Sequence, residues 1–221
     1  STPLYSSAAS DVYKRQVQGY KAAAFKCSKR LEEEAVNAVK EACKRNIPVL
    51  FFGGLTDIAE GEGYDRESFT LPYNQIHLLE KLLKIDKRIG FISFSGSPYD
   101  MEIPSKCIAL LHLYLGGEAV ADACVKILMG ITNPSGKLAE SIPYSEKDVP
   151  CYGYFGKQGE QIKHLDDVEY RESIFVGYRY YDTFNVPVRY CFGYGLSYTS
   201  FRYSDLVIHN CLLYTSDAAD E

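Results

Sequence analysis

The most regular pattern of apolar and polar positions in the chain lies between Arg30 and Arg45. Its apolar residues fall three or four positions apart, and charged residues fill most positions between them. These apolar positions form one stripe: Leu31, Ala35, Val39 and Ala42. Because an α-helix completes a turn every 3.6 residues, such a stripe lies on one face, and the pattern predicts an amphipathic helix.

Continuous apolar runs predict the strands that accompany this helix. The runs are Ile47 to Phe52, which two glycines close, Ile89 to Phe94, and Cys107 to Leu115. Helical spacing returns after the first run, in a segment opened by Pro72, and after the third, in a segment that ends at Gly130. Strands alternating with helices predict an α/β fold. We expect a three-layer α/β/α sandwich around a mostly parallel sheet whose strands are buried on both faces.

The amino-acid composition of the sequence changes after Asn133. A stretch from Val168 to Tyr203 is dense in tyrosine, and the chain contains 19 tyrosines and no tryptophan. We expect an irregular, tyrosine-rich C-terminal segment after the sandwich. Aromatic surfaces of this kind either pack against another domain, the interpretation we favour, or stack on sugar rings.

Both ends of the chain differ from the sequence between them. Residues 1–16 and 211–221 are small, polar and aperiodic, and they share the similar strings YSSAASD and YTSDAAD. These strings resemble translated sequencing-adaptor sequence at the ends of assembled metagenomic reads. We interpret both ends as artefacts of assembly or as disordered tails, and we expect the folded domain within residues 17–210.

Composition narrows the classes of function. With 46% hydrophobic and 24% charged residues, the chain has the composition of a globular protein with a core of its own. Its net charge of -5 and scattered basic residues argue against a nucleic-acid partner. No apolar stretch approaches the roughly 20 residues that span a bilayer, so we expect no membrane insertion.

The cysteines and histidines offer no recognisable metal or disulfide motif. No two cysteines form a C-x-x-C pair, which favours reduced, mostly buried thiols in a cytoplasmic protein over disulfides or a zinc site. The histidines are isolated, and each is interpreted as a surface or packing residue. The cysteines are Cys27, Cys43, Cys107, Cys124, Cys151, Cys191 and Cys211, and the histidines are His77, His112, His164 and His209.

The segment after the first predicted strand carries the strongest candidate for chemistry. It reads AEGEGYDR, with Glu60 and Glu62 between glycines and with Asp65 and Arg66 behind them. Ligands gather beyond the carboxyl ends of parallel strands, and glycines allow close approach of the backbone. From the residues alone, a solvated acidic loop is the simplest interpretation. A general acid/base or a cation site is the alternative, although the spacing does not match a calcium loop.

Other catalytic motifs are missing from the sequence. It contains no phosphate-binding loop, no G-x-S-x-G elbow, no histidines at metal-binding spacing and no dinucleotide glycine motif. We therefore expect neither a cofactor nor a metal. A flavodoxin-like cofactor binder is the weakest alternative, because the chain lacks phosphate-loop chemistry.

A series of motifs between about residue 17 and residue 210 resembles the C-terminal α/β sandwich domain of glycoside hydrolase family 3, in its β-glucosidase-like branch. The motifs occur in the family's order, which makes the series far more specific than any one of them. They are EGEGYDRESFTLPYNQ, SGSPYDMEIP, YLGGEAVAD, NPSGKLAESIP, VEYRESIFVGYRYYD and FGYGLSYTSFRYSDL.

The resemblance implies an active site divided between domains. An N-terminal barrel of the family carries the aspartate nucleophile, and the α/β domain lends the acid/base glutamate, which corresponds to Glu62. Asp65 and Arg66 match the D-R that follows and are expected to brace the loop, and Glu60 is the second candidate acid. The implied reaction is retaining hydrolysis of a terminal β-linked sugar, with a carbohydrate as substrate.

The resemblance also implies partners that this sequence does not contain. We expect a missing N-terminal barrel and a following fibronectin-like domain, and we expect this chain alone to hydrolyse nothing. The alternative is a non-catalytic module that binds carbohydrate or packs against another domain. The sequence departs from the family pattern in a shorter glycine-rich turn at YLGGEAVAD, at Ser173 in place of glycine, and at Cys191 in place of proline.

Overall fold

The computed structural model of this chain describes residues 16–22, 24–63, 66–154 and 170–207. Three parallel strands form a sheet in the order β1–β2–β3, and helices accompany it, which confirms the predicted α/β sandwich. The elements are α1 (Lys29–Lys44), β1 (Val49–Gly54), α2 (Tyr73–Leu83), β2 (Ile89–Phe94), β3 (Ala109–His112), α3 (Val120–Leu128), β4 (Ile142–Pro143), α4 (Tyr178–Phe184) and β5 (Val188–Tyr190). The predicted end segments fall outside the described residues, apart from Gln16.

Helix α1 forms as its apolar stripe predicts, within one residue of the predicted limits. Leu31, Ala35 and Val39 are buried, and Ala42 is half-buried. The helix ends at Lys44, and Asn46, two residues further on, has a left-handed φ of 54°. The Ile47 amide then donates a hydrogen bond back to the Ala42 carbonyl at 2.9 Å, which closes the last turn of the helix.

Helices α1 and α2 cover one face of the sheet and form the main core with it. Phe51 of β1 and Phe91 of β2 stack there with ring centroids 5.5 Å apart. The buried residues of this core include Ala35 and Val39 of α1, Leu78, Leu79 and Leu82 of α2, and Ile89 of β2. Burial of this continuous apolar face is the main force that holds the helices on the strands.

The first strand differs from its prediction in both position and burial. It begins two residues later than the apolar run and includes both glycines. Phe51 is only 7% exposed, but Leu50 and Phe52, which point to the opposite face, are 43% and 39% exposed. The expectation of burial on both faces is therefore wrong for β1, because in the described part of the chain nothing buries that face of an edge strand.

The connection between β2 and β3 also departs from the predicted alternation of strands and helices. Residues 95–108, all of them described, contain a short 3₁₀ turn at Pro104–Lys106 and no α-helix. Tyr99 and Met101 fill the space instead, and both are fully buried. Strand β3 is shorter than its apolar run, because only Ala109–His112 pair with β2.

The tyrosine-rich segment is less irregular than expected. It contains α4 and β5, and β5 pairs antiparallel with β4. Tyr181 is buried, but most of the other described tyrosines of this segment are exposed. In the described residues these rings therefore form an aromatic surface and not a second core.

Gln75, in the first turn of α2, fixes the end of β1. Its side-chain oxygen accepts a hydrogen bond from the Gly54 amide, and its side-chain nitrogen donates to the Gly54 carbonyl, both at 2.9 Å. Gly54 has a φ of 149°, and a Cβ at this position would lie 1.7 Å from the Phe94 carbonyl oxygen. Glycine is thus required where the end of β1 lies beside the end of β2. The Gln75 side chain forms the hydrogen bonds that a further strand would otherwise form with this edge of β1.

Replacing Gln75 with leucine is expected to destabilise the domain. The variant leaves two buried backbone groups of Gly54 unpaired, at a cost of about 1–3 kcal/mol for each group. Urea unfolding should show a lower midpoint at an unchanged m value. The exposed Gln18→Leu variant is the control, and equal midpoints for the two variants would contradict the role of Gln75.

Candidate active site

The candidate site lies where two loops meet at the carboxyl-terminal edge of the parallel sheet. The loop after β1, residues 55–72, carries Glu60, Glu62 and Arg66, and the loop after β2 carries Ser97. Parallel strands end at the same edge, so loops that are distant in sequence become neighbours there. Asp65 lies outside the described residues, and its predicted bracing role stays a prediction.

Glu60 joins the two loops through both of its carboxylate oxygens. Oε1 accepts a hydrogen bond from the Gly96 amide and Oε2 accepts one from the Ser97 hydroxyl, each at 2.7 Å. The side chain is half-buried. Hydrogen bonds to an ionised carboxylate are among the stronger ones in proteins. This geometry favours a loop-supporting role for Glu60 over that of a free acid.

Arg66 holds the other end of the same loop. Its Nη1 donates to the Ser97 hydroxyl at 2.8 Å and to the Pro98 carbonyl at 2.6 Å. Its Nη2 also donates to the Ser68 carbonyl at 3.0 Å. Burial lowers the pKa of the Arg66 guanidinium, and the charge of Glu60 acts in the opposite direction.

The Ser97 hydroxyl connects these two anchors. It donates to Glu60 and accepts from Arg66, so a single hydroxyl lies between the carboxylate and the guanidinium. We call Glu60, Ser97 and Arg66 the loop brace. Ser97 was not among the site residues predicted from the sequence, although the SGSP string that contains it was among the motifs of the resemblance.

Glu62 lies between the two anchors of this loop. Its side chain is exposed, and glycines flank it on both sides. Apart from its chain neighbours, a Cβ placed on Gly63 would have no atom of the described residues within 4 Å, so the loop beside Glu62 is open on this side. The braced ends and the open tip leave the Glu62 carboxyl group accessible beyond the edge of the sheet.

A polar network near this edge was also missed by the sequence analysis. The Ser93 hydroxyl lies 2.6 Å from the Tyr99 hydroxyl and 2.9 Å from His112 Nδ1. Ser93 and Tyr99 are fully buried. Burial lowers the pKa of His112 to about 4, although the charge of Glu60 acts to raise it. His112 is therefore a satisfied packing residue at neutral pH, as its isolation in the sequence suggested.

The six described cysteines are free thiols, but their burial differs from the prediction. Cys124 alone among them is buried, Cys27 and Cys191 are exposed, and the remaining three are half-buried. The expectation of mostly buried thiols is therefore wrong. Apolar neighbours in sequence did not indicate burial, because Cys27 precedes a helix and Cys191 follows a short edge strand.

In open α/β sheets ligands bind beyond the carboxyl ends of the strands, and the braced loop with its exposed carboxyl group lies at this position. Comparison of the sequence with known families identifies the family to which this domain belongs. The profile of the glycosyl hydrolase family 3 C-terminal domain matches residues 3–198, and the chain belongs to this family. This finding confirms the resemblance drawn from the motifs.

Individual relatives agree with this assignment. Thermostable beta-glucosidase B of Acetivibrio thermocellus is 41% identical over 178 residues, which are 80% of this chain and 23% of that enzyme. An exo-alpha-(1->6)-L-arabinopyranosidase of Bifidobacterium longum is 36% identical, covering 80% of this chain and 22% of the enzyme. The crystal structure of a family 3 beta-glucosidase of Bifidobacterium adolescentis superposes with a TM-score of 0.74 at 35% identity, covering 82% of this chain and 26% of that one.

The chain thus spans about a quarter of the length of these relatives. None of the helices in its described part has the length and apolar character that crossing a bilayer requires.

Replacing Ser97 with alanine is expected to loosen the loop that carries Glu62. The change removes hydrogen bonds to two charged groups, each worth about 1.5–3 kcal/mol. Amide hydrogen exchange of residues 57–63 should accelerate by at least about tenfold, since 1.4 kcal/mol corresponds to a factor of ten. The exposed Ser200→Ala variant should leave this exchange unchanged. An equally slow loop in Ser97→Ala would contradict the bracing role.

His112 is expected to make the domain less stable in acid. Its pKa is about 4 in the folded state and about 6.5 in an unfolded chain, so between these values the unfolded state binds more protons. The contribution of His112 to the free energy of unfolding is complete above pH 6.5 and declines as the pH falls towards 4. Urea unfolding of wild type and His112→Asn should show a stability difference that shrinks over this range. A difference that stays constant from pH 7 to pH 4.5 would contradict the prediction.

Proposed function

We propose that this chain is the C-terminal α/β domain of a retaining β-glucosidase-type hydrolase and that Glu62 is its general acid/base. The observation that carries the proposal is the geometry of one loop. Glu62 is exposed at an open tip, while Glu60 and Arg66 anchor the loop on either side through Ser97. Such an arrangement suits a group that must reach a substrate held by another part of the protein.

The proposed nucleophile and most sugar-binding groups belong to an N-terminal barrel outside this chain. The relatives support this division, since the chain matches only about a quarter of their length. Retaining hydrolysis needs two carboxyl groups about 5–5.5 Å apart. In the assembled enzyme the barrel would dock against the carboxyl-terminal edge of the sheet and bring its aspartate to this distance from Glu62. A fibronectin-like domain after the chain remains part of the proposal.

Glu62 would act twice in the proposed reaction. As an acid it protonates the glycosidic oxygen while the carboxylate nucleophile attacks the anomeric carbon and the aglycone leaves. As a base it then removes a proton from the water that attacks the glycosyl-enzyme, which releases the sugar with its original configuration and returns the proton to Glu62.

The loop brace would supply the positional accuracy that this chemistry demands. A displacement of about 1 Å in a catalytic group can cost a factor of about 100 in rate. Glu60 and Arg66 connect the loop to the end of β2, so the position of Glu62 depends on the sheet as well as on the loop's own sequence. We propose that Asp65 adds to this support.

A terminal β-glucoside is the substrate that we propose. Two of the three relatives above are named as beta-glucosidases, whereas the third is named for an arabinopyranoside. Specificity in this arrangement would be set mainly by the barrel. A cytoplasmic location also remains a proposal, supported by the free thiols of the six described cysteines.

A non-catalytic module is the second candidate function. The exposed tyrosines Tyr178, Tyr194 and Tyr198 favour it, since aromatic rings at a surface can stack on sugars or bury against a partner. In this case Glu62 would be a solvated acid without a catalytic role.

The dependence of the hydrolysis rate on the leaving group of the substrate distinguishes these two functions. In the full-length protein that joins this domain to its barrel, Glu62→Gln should lower kcat/KM for aryl β-glucosides with poor leaving groups by about 10²–10⁴-fold. A dinitrophenyl glucoside should react with little loss in its first step, because its leaving group needs no proton. Azide, which needs no base to attack, should restore turnover and yield a β-glycosyl azide.

Two variants on the same loop serve as controls. The exposed Glu67→Gln should retain wild-type activity, and Glu60→Gln should slow all substrates alike without rescue by azide, because it affects position and not proton transfer. The isolated 221-residue chain should release no phenol. Full activity of Glu62→Gln, or a gene that encodes no barrel, would overturn the enzymatic proposal and favour the binding module.

A further inference from the structure

A second group of potential ligand side chains lies where the start of α1 meets α2. Cys27 immediately precedes the helix cap, Glu32 is in the first turn of α1, and His77 is on α2. One ligand atom from each side chain, a sulfur, a carboxylate oxygen and an imidazole nitrogen, lies within 4.8 Å of the other two. None of these residues takes part in the proposed glycosidase chemistry.

Packing of the surrounding backbone holds these three residues together. Asn74, at the start of α2, donates hydrogen bonds from its side-chain nitrogen to the carbonyls of Lys21 and Ala24 at 3.1 and 2.6 Å. The segment before α1 is therefore fixed on α2. Tyr73 stacks on the ring of His77 with centroids 5.4 Å apart, which orients the imidazole.

Glu32 shows an unsatisfied bonding capacity in this cluster. The residue is only 6% exposed. Its Oε2 accepts a hydrogen bond from the Lys81 ammonium at 2.5 Å and lies 3.8 Å from His77 Nε2. Its Oε1 is buried and has no hydrogen-bond partner within the described ranges. A buried charged oxygen without a partner is costly, so a cation would be most stabilising at this atom of the cluster.

The donor set identifies the chemical class of that ligand. Thiolate and imidazole disfavour Mg²⁺ and Ca²⁺, which prefer oxygen, and together with one carboxylate they suit Zn²⁺. Bonds to zinc of about 2.0–2.3 Å place tetrahedral ligand atoms about 3.5 Å apart. The three ligand atoms lie within 4.8 Å of one another, so they need to approach by up to about 1.3 Å. The Cys27 side chain is exposed and can move.

We propose that Cys27, Glu32 and His77 bind a zinc ion that joins the start of α1 to α2. Glu32 contributes Oε1 and keeps its contact with Lys81 through Oε2. The Cys27 thiol releases its proton to solvent as the metal binds. A water molecule completes the tetrahedral coordination, and the exposed Cys27 side chain leaves the ion open to solvent.

The effect of this ion is stabilisation of the helical layer. It links the segment before α1 to the helix that follows the Glu62 loop. Because the ion binds the folded state, the unfolding temperature should rise with zinc concentration. The sequence expectation of no metal rested on the absence of a C-x-x-C pair or paired histidines, and this site uses neither.

Metal titration of the chain after treatment with a chelator tests the proposal. We expect one Zn²⁺ per chain in competition with a chromophoric chelator. The Co²⁺ form should show the near-ultraviolet charge-transfer absorption of a sulfur–cobalt bond. Cys27→Ser and His77→Gln should each weaken zinc binding by at least about tenfold and abolish the rise in unfolding temperature.

Cys191→Ser is the matched control, because Cys191 is also an exposed free thiol but lies far from α1 in sequence. It should bind zinc as the wild type does. Circular dichroism checks that the variants fold, and the two ligand variants are independent, so either one alone can decide the outcome. Absence of stoichiometric binding, equal binding by wild type, Cys27→Ser and His77→Gln, or loss of binding in Cys191→Ser would overturn the proposal.

Discussion

Two hydrogen bonds to the carboxylate of Glu60 are the constraint on which the candidate site depends. They attach the loop after β1 to the loop after β2, through the Gly96 amide and the Ser97 hydroxyl. Arg66 binds the same hydroxyl from the other end of the loop, so the segment between the anchors has both ends fixed. Glu62 lies within that segment, and its accessibility is a consequence of how its neighbours are held.

Packing in the core of the sheet fixes the point at which this loop begins. Phe51 and Phe91 stack beneath α1 and α2 and set the positions of β1 and β2. At the end of β1 the amide of Gln75 binds both backbone groups of Gly54, so the point at which the loop leaves the sheet is fixed by α2. The position of the loop therefore depends on tertiary packing at its start and on the polar contacts of Glu60 and Arg66 further along it.

Three acidic residues of this protein differ in their surroundings, and the roles that we propose for them differ accordingly. Glu62 is exposed at an open tip, which suits proton transfer to a substrate from another domain. Glu60 is half-buried with both oxygens paired, which suits support. Glu32 is almost fully buried, and one of its oxygens has no hydrogen-bond partner among the described residues, which suits a cation. Burial and partners, and not residue type, separate these roles.

Helices α1, α2 and α3, the three parallel strands, the family and the loop that carries Glu62 could all be predicted before any coordinates, because they follow from local periodicity and from short contiguous motifs. The contacts of Ser97 with Glu60 and Arg66, and the proximity of Cys27 to His77, emerge from the folded chain alone, because they connect residues about 30 to 50 positions apart and no local pattern encodes them. The exposure of one face of β1 could not be predicted from the sequence for the same reason. An apolar run specifies a strand, but its coverage depends on which elements pack upon it.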